Sequence, residues 1–298
     1  MRRVANALAD AGEREIDAER EAYRRSSAQA PRPPMAAVED LAVPGGDGQL
    51  RARLLTPRGA ADALLVYVHG GGWYLGDLDS CEPVARVIAA ATGCQVLELE
   101  HRQAPEHPFP AALHDVVATL RWAMAQHAPR AVGAIGDSSG GNLVAAAARH
   151  VDGLALQALV YPALDLTRPP DPIDDPDGVE LPRALQSTAD RYLAGADPTD
   201  PDVSPLHATD LAGLPPAVIC VAEYDALRPQ GLAYAERLSA AGVPVTVVDA
   251  HGLDHAFFAW GAFARRPAAA IAEFGDAVRA VLNEKRHGPE PPGVLSAT

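Results

Sequence analysis

The sequence predicts an α/β fold in which a mostly parallel β-sheet is covered by helices on both faces. Short apolar runs, typical of buried strands, alternate with longer segments of helical periodicity along most of the 298 residues. The run 63–68 is apolar without interruption, as expected of a strand that is buried on both faces. Glycine-rich or polar segments follow several of these runs, at the strand ends where parallel sheets form their functional sites.

The elements can be assigned in order along the chain. Residues 2 to about 28 are rich in Ala, Glu and Arg and predict a helix, which ends before Pro31. Two short strands between 38 and 57 flank a glycine-rich turn. Further strands are expected at 63–68, 95–100, 131–135, 154–164, 217–221 and 243–248. Further helices are expected at 81–92, 111–127, 143–150, 230–241 and 267–286.

The alternation of strands and helices breaks down between residues 165 and about 214. Proline and aspartate dominate 168–177, and one helix is predicted at 182–193. This pattern favours an insertion on top of the sheet, and the N-terminal helix is either a solvated helix or part of the same lid. We expect an N-terminal cap helix in 1–37, a catalytic domain in 38–286 with a cap insertion at about 165–205, and a disordered tail in 287–298.

Composition and charge limit the expected partners. The formal net charge of −14 argues against nucleic acid and against an anionic membrane surface, since both attract basic patches. No membrane span and no secretory signal are expected, because long apolar runs are lacking. The three cysteines are far apart and lack metal-binding spacing, so neither disulfides nor zinc are expected, and a cytoplasmic location is predicted.

The segment Gly136–Asn142 carries the most informative motif, Gly-Asp-Ser-Ser-Gly-Gly-Asn. A strand, a Gly-x-Ser-x-Gly turn and a helix form a nucleophile elbow, which exposes the hydroxyl of the central serine. Ser138 is the predicted nucleophile because glycine lies two residues before it and two residues after it. A frame centred on Ser139 would place Asp137 where a side chain crowds the turn. The motif alone also fits an ordinary glycine-rich turn.

A serine nucleophile needs a base to take its proton, and the base needs an acid to orient it. Asp225 and His255 follow predicted strands, and the chain order of serine, acid and histidine is one of three known for serine triads. Glu223 is the rival acid, and His251 is the rival base. His251 and His255 together suggest a metal pair only weakly, because no third ligand lies at a suitable spacing.

The segment His69–Trp73, with the sequence His-Gly-Gly-Gly-Trp, follows the strand expected at 63–68. Glycine loops after strands either cradle phosphate or hold an oxyanion with free N–H groups. The Walker-type lysine and the dinucleotide fingerprint are both missing from the sequence, which favours the second role. Gly70 and Gly71, together with the N–H of Ser139, are the predicted oxyanion donors.

Together these segments resemble the hormone-sensitive-lipase-like family of carboxylesterases within the α/β-hydrolases. The matching segments, in the order of the family, are 69–73, 102–110, 136–142, 203–206, 222–228 and 252–257. The resemblance implies an α/β-hydrolase fold with an eight-stranded sheet and a small helical cap. It also implies hydrolysis of short- to medium-chain esters without a cofactor, with His69 orienting the oxyanion loop.

Three residues depart from the family pattern. The family usually has alanine at the position of Ser139, and it usually has Tyr and Leu at the positions of His101 and Gln103. These changes leave the expected triad intact, but they leave the choice of substrate open.

We therefore predict a serine carboxylesterase that acts on small-molecule esters through an acyl-enzyme, with no metal or other cofactor. Trp73 and Tyr74 supply bulk near the site and predict a short acyl pocket. A non-catalytic small-molecule receptor is the alternative from another class, although such receptors lack the histidine at the position of His255. A hydrolase of amides or lactones, or an acyltransferase, also stays open, because specificity depends on pocket shape. The resemblance further suggests a homodimer.

Overall fold

The computed structural model describes residues 2–59, 63–127, 130–170, 188–261 and 264–287. Within these ranges, its strands are β1 (Ala37–Pro44), β2 (Gln49–Thr56), β3 (Ala63–Val68), β4 (Gln95–Leu99), β5 (Ala131–Asp137), β6 (Gln157–Val160), β7 (Ala217–Tyr224) and β8 (Val245–Asp254). Its helices are α1 (Arg2–Ser27), α2 (Leu78–Thr92), α3 (Ala111–His127), α4 (Ser139–Ala147), α5 (188–193), α6 (Arg228–Ala240) and α7 (Arg265–His287).

The described strands form one sheet in the order β1-β2-β4-β3-β5-β6-β7-β8. The pairs of β2 with β1 and with β4 are antiparallel, and all the remaining pairs are parallel. The predicted fold, a mostly parallel eight-stranded sheet with helices, is confirmed. Because β3, β5, β7 and β8 run in the same direction, the segments that follow them meet at the carboxyl ends of the strands.

Strand β3 shows why the sheet forms in this part of the chain. All its residues are buried, and their side chains alternate between the two faces of the sheet. Leu64 and Val66 pack on one side with residues of α3, α4 and α6, whereas Leu65 and Tyr67 pack on the other side with residues of α2 and α7. Each such side chain stabilises the fold by roughly 1.5–3 kcal/mol through its removal from water.

Helix α2 begins at Leu78, three residues before its expected start at residue 81. The Asp77 carboxylate accepts a hydrogen bond from the Ser80 N–H at 2.8 Å, and the Ser80 hydroxyl accepts one from the Asp77 N–H at 2.9 Å. This reciprocal capping satisfies backbone donors that the first turn of a helix leaves free. The side chain at the cap, rather than apolar periodicity, therefore sets the start of α2.

Strand β8 is longer than expected, since it continues to Asp254 rather than ending at 248. It keeps pairing with β7 through a register irregularity between Ala222 and Tyr224. Such irregularities bend a strand and redirect its side chains. This bend lies directly before Asp225, at the carboxyl ends of the strands, where the functional segments meet.

The regions expected to form a cap are described in part. Helix α1 packs against α2, and α5 is the described part of the helix expected at 182–193. The rest of that expected helix, within 171–187, lies outside the described residues, as does the expected tail at 288–298. His287 belongs to α7 rather than to the tail. Among the described helices, none combines the length and the apolar character that crossing a membrane requires.

Candidate active site

Ser138 lies in a sharp turn between β5 and α4, with φ 52° and ψ −117°. This backbone conformation is rare for a residue with a side chain and is typical of functional sites. The flanking glycines make it possible: a Cβ on Gly136 would lie 2.3 Å from the Gly140 carbonyl oxygen, and a Cβ on Gly140 would lie 2.0 Å from the Val68 carbonyl oxygen. The two glycines thus frame Ser138 rather than Ser139.

The structure brings the three predicted triad side chains together from three strand ends. His255 Nε2 lies 3.0 Å from Ser138 Oγ, and His255 Nδ1 lies 2.8 Å from Asp225 Oδ2. Both distances are those of hydrogen bonds. The residues are 117 and 30 positions apart along the chain, so only the fold places them within reach of one another.

Asp225 is 1% exposed, and both its carboxylate oxygens have partners. Oδ2 faces His255, and Oδ1 accepts a hydrogen bond from the Leu227 N–H at 2.9 Å. The Tyr161 ring packs against the His255 ring, with 4.8 Å between the ring centroids. The carboxylate and the imidazole therefore hold fixed orientations.

The rival residues lie elsewhere. Glu223 Oε2 accepts a hydrogen bond from the Gly252 N–H at 2.6 Å, and its side chain is 40% exposed. The His251 side chain is 74% exposed, and its Nδ1 lies 3.6 Å from Glu223 Oε2. Neither Glu223 nor His251 is hydrogen-bonded to Ser138 or His255. Within the described ranges, no three His, Cys, Asp or Glu side chains are grouped so that they would hold a metal ion.

The pKa of His255 is raised above its ordinary value of 6.5. Burial acts in the opposite direction and would lower this pKa, but the charge of Asp225, its hydrogen bond to the ring and the charge of Asp137 together outweigh burial. The imidazole is consequently a stronger base than a free histidine, and it is held next to the Ser138 hydroxyl.

The loop of residues 69–76 after β3, called the glycine loop below, differs from the expectation at one position. The Gly70 N–H donates a hydrogen bond to Asp137 Oδ1 at 2.9 Å, so it is not free to hold an oxyanion. Within the described part of the chain, the N–H groups of Gly71, Gly72 and Ser139 have no acceptor. The loop therefore offers Gly71 and Gly72 beside Ser139, rather than Gly70 and Gly71.

Asp137 is a residue whose role sequence reasoning missed. Besides the Gly70 N–H, its Oδ1 accepts a hydrogen bond from the Tyr67 hydroxyl at 2.8 Å. Burial raises the pKa of Asp137, and these two donors and the nearby histidines partly offset that rise. The residue stands inside the elbow motif, but its contact with a loop 67 positions away leaves no signal in the sequence.

Comparisons with known proteins identify the fold and the family. A family model described as an alpha/beta hydrolase fold matches residues 65–259. The chain is 39% identical over 267 residues to Carboxylic ester hydrolase LipN of Mycobacterium tuberculosis, covering 83% of this chain and 71% of that protein. It is 37% identical over 266 residues to Esterase LipI of the same organism, covering 81% of this chain and 82% of that protein.

Solved structures show the same relationship. An esterase from Pyrobaculum calidifontis is 32% identical, with a TM-score of 0.78 and coverage of 89% of this chain and 92% of that one. An esterase from the bacterial hormone-sensitive lipase family is 30% identical, with a TM-score of 0.78 and coverage of 90% and 92%. This chain belongs to the hormone-sensitive-lipase-like family of α/β-hydrolases. The predicted family and fold are thus confirmed.

The two aromatic residues predicted to line the pocket of this family member take different positions. Trp73 borders a cavity of about 20 Å³, together with Ala163, Leu166 and Leu227 among others. Tyr74 does not border this cavity. Its ring instead faces the Arg191 guanidinium, with 4.7 Å from the guanidinium carbon to the ring centroid.

Proposed function

We propose that the protein is a serine carboxylesterase in which Ser138 is the nucleophile, His255 the base and Asp225 the acid that orients it. The observation that carries this proposal is the continuous hydrogen-bonded path from Asp225 through His255 to Ser138, with distances of 2.8 Å and 3.0 Å. Family membership and relatives named as ester hydrolases support it further.

Acylation begins when Ser138 Oγ attacks the ester carbonyl carbon. The Oγ–C bond forms as the C=O π bond opens, and the Oγ proton moves to His255 Nε2. The negative charge of Asp225 stabilises the resulting imidazolium and fixes which ring nitrogen carries the proton. The tetrahedral intermediate then collapses, the bond to the alcohol oxygen breaks, and His255 returns the proton to the leaving alkoxide.

Deacylation repeats these steps with water in place of serine. His255 removes a proton from a water molecule, whose oxygen attacks the acyl carbon. The tetrahedral intermediate then collapses, the bond between Ser138 Oγ and the acyl carbon breaks, and the carboxylic acid is released. His255 then returns the proton to Ser138 Oγ. His255 thus carries each transferred proton: the Ser138 proton leaves with the alcohol, and a proton from water replaces it.

The oxyanion of each tetrahedral intermediate needs donors that are preorganised. We assign this role to the N–H groups of Ser139, Gly71 and Gly72. Gly72 replaces Gly70 in this assignment, because Asp137 already accepts the Gly70 N–H. Loss of one such donor costs roughly 10²–10³-fold in turnover in comparable enzymes.

The pocket beside Trp73 supports a preference for short acyl groups. The Trp73 ring stacks on the Tyr192 ring, with 4.8 Å between the centroids and an angle of 9°. Because both side chains are buried, they form a fixed wall rather than an adjustable one. Such a wall does not move aside for a long acyl chain, which favours short acyl groups.

The expected organisation, location and assembly belong to the same proposal. We assign α1 and the 165–205 segment to a cap over the hydrolase domain, supported by contacts of α1 with loops near the site. A cytoplasmic location is supported by three buried cysteines without disulfides. A homodimer through β8 is supported by the exposed apolar Val247 on this edge strand.

Hydrolysis of p-nitrophenyl acetate and butyrate tests the proposed function. We expect wild-type protein to hydrolyse both esters at an unchanged rate after chelation of divalent metals. Ser138→Ala should abolish turnover, whereas Ser139→Ala should retain a sizeable fraction because its N–H remains. A dead Ser139→Ala variant beside an active Ser138→Ala variant would move the nucleophile to the next residue. An inactive, folded wild type would favour the receptor alternative.

A further inference from the structure

Two side chains that stand outside the triad contact the backbone of the glycine loop. We propose that Gln103 and Ser139 are positioning residues that hold this loop, and with it the Gly71 and Gly72 N–H groups, at the correct distance from the oxyanion. The inference rests on the proposed function, because it concerns the same reaction centre. Its evidence is independent of the triad, since neither side chain contacts Asp225 or His255.

The loop needs external support because part of its backbone is strained. Trp73 has φ 64°, a left-handed conformation that costs a residue with a side chain of the order of 1–3 kcal/mol. Such a conformation persists only where its surroundings enforce it. Without these contacts, the strain favours rotation of the peptide unit between Gly72 and Trp73, which is next to the unit that carries the Gly72 N–H.

Gln103 supports the end of the loop. Its Nε2 donates hydrogen bonds to the Leu75 carbonyl oxygen at 3.0 Å and to the Gly76 carbonyl oxygen at 2.7 Å. Both hydrogens of the amide are therefore used on consecutive loop carbonyls. The next residue adds a third bond, because the Ala104 N–H donates to the Trp73 carbonyl oxygen at 3.0 Å. The segment around Gln103 thus holds the loop along three of its residues.

Ser139 supports the middle of the loop from the opposite segment. The Trp73 N–H donates a hydrogen bond to Ser139 Oγ at 3.3 Å, and Ser139 is 2% exposed. The same residue offers its own N–H as a donor in the proposed oxyanion hole. Its side chain therefore links the donor on the elbow to the loop that carries the other donors, and fixes the distance between them.

His101, the third departure from the family pattern, also contacts this loop. Its ring stacks on the His69 ring with 4.5 Å between the centroids, and both rings are buried. Burial, and then the charge of His69, lowers the pKa of His101 to about 4, so the His101 ring is neutral at pH 7. All three residues that the sequence marks as departures from the family thus converge on one loop.

Positioning has a distinctive kinetic consequence. Oxyanion donors act at 2.7–3.1 Å from the charge that develops in the transition state. A loop that shifts by a fraction of an ångström weakens this interaction but leaves substrate binding in the ground state nearly unchanged. Loss of the supporting side chains should consequently lower kcat and the affinity for transition-state analogues together, with little effect on KM.

The test compares Gln103→Met and Ser139→Ala with a matched control, Gln157→Met. Gln157 is a buried glutamine at the start of β6, and its Nε2 donates to the Pro215 carbonyl oxygen at 3.0 Å, away from the loop. For each variant we would measure kcat and KM for p-nitrophenyl butyrate, Tm, and the Ki of an alkyl trifluoromethyl ketone. Ser138 Oγ adds to the carbonyl carbon of the ketone, and the hydroxyl proton moves to His255. The adduct is a stable mimic of the tetrahedral intermediate.

We expect kcat to fall roughly 10-fold in Gln103→Met and roughly 3-fold in Ser139→Ala, less than for loss of a donor itself. The Ki of the ketone should rise by the same factors, with KM within about 2-fold. Gln157→Met should lower Tm without changing kcat or Ki. Unchanged kcat and Ki in folded Gln103→Met and Ser139→Ala, or equal losses in Gln157→Met, would overturn the inference. Failure of the proposed function would instead leave the wild type itself inactive.

Discussion

The two halves of the proposed reaction centre are held in different ways. The triad side chains Ser138, Asp225 and His255 follow strands β5, β7 and β8 of one sheet, and each sits just beyond a strand end. The oxyanion donors Gly71 and Gly72 lie in a loop, and that loop is fixed by hydrogen bonds from other segments of the chain. The first half is positioned by backbone architecture, and the second half by individual side chains.

This difference determines what a substitution can do to each half. A change in the triad removes a reacting group while its surroundings stay in place, so the loss of rate is large. A change in the loop's supports moves the donors without removing them, so the loss is graded. The predictions below test this contrast.

The largest effect is expected from Asp225→Asn. The amide cannot fix the correct tautomer of His255 or stabilise its positive charge, so kcat should fall roughly 10⁴-fold, as in other serine triads. Steady-state hydrolysis of p-nitrophenyl butyrate measures the loss. Glu223→Gln is the matched control, since Glu223 bonds to the Gly252 N–H instead. A near-normal rate for Asp225→Asn together with a large loss for Glu223→Gln would exchange their roles.

The pH profile of kcat/KM should separate the two halves. Neutral His255 is the base, so the rate should fall as pH falls through the pKa of His255, tenfold for each pH unit. Because Asp225 raises this pKa above 6.5, the acid limb of wild type should lie above pH 6.5. It should move to lower pH in Asp225→Asn, where burial acts without the opposing charge. An acid limb that moves in Gln103→Met, but not in Asp225→Asn, would contradict the distinction between the triad and the supports of the loop.

Arg20→Met tests whether helix α1 supports the loop. Arg20 Nε donates to the Tyr74 carbonyl oxygen at 2.9 Å, and its Nη2 donates to the Ala104 carbonyl oxygen at 3.0 Å. We expect kcat to fall roughly 5-fold with KM nearly constant, less than for a lost donor because the inner contacts remain. Arg24→Met removes contacts of α1 with Asp77 and with its own Glu21, neither of which is a loop carbonyl, and should keep the wild-type kcat. Equal kcat values for wild type and Arg20→Met would assign α1 no role in the loop.

The smallest effect is expected on the pH dependence of stability, through the buried Glu98. Glu98 is fully buried in β4, and neither carboxylate oxygen has a hydrogen-bond partner in the described part of the chain. Burial, followed by the charge of Cys81, raises its pKa well above 4.5. The folded state therefore keeps the proton longer than the unfolded state does. The contribution of protonated Glu98 to the free energy of unfolding is fully present below about pH 4.5. It falls by about 1.4 kcal/mol per pH unit as the pH rises from there towards the pKa of Glu98 in the folded state.

Glu98→Gln removes this titration, so its Tm should exceed that of wild type by an amount that grows between pH 5 and pH 8. Thermal unfolding followed by circular dichroism at both pH values measures the difference. A constant difference between the two pH values would mean that Glu98 does not titrate abnormally. Because Glu98 lies outside the triad, kcat at pH 7 should stay close to wild type in this variant.

The same contrast explains what the sequence could predict. Helix α3 matches its expected bounds, 111–127, and the elbow and the strand-end positions of Asp225 and His255 follow from local patterns. Those patterns report burial and turn chemistry, which are local properties. The partners of the glycine loop are not local: the contact of Gly70 with Asp137 and those of Gln103 with Leu75 and Gly76 depend on the packed fold.

For the same reason, the sequence could not show that the Gly70 N–H is already bonded to Asp137. A run of three glycines predicts a loop with free N–H groups, but it does not reveal which of them a neighbouring side chain will accept. Asp137 accepts the Gly70 N–H because the fold brings the two residues together, whereas its position inside the elbow motif indicates only a turn. Tyr74 is a similar case, because its contact with Arg191 comes from α5, which is distant in the sequence.

The most direct test is covalent labelling of the folded protein with a fluorophosphonate, followed by peptide mapping with mass spectrometry. The phosphonyl group bonds to a serine Oγ only where a base removes the hydroxyl proton as fluoride departs. We expect a single labelled residue, Ser138, and loss of the label in both Ser138→Ala and His255→Ala. A label on Ser139, or no label on folded wild-type protein, would contradict the proposed triad.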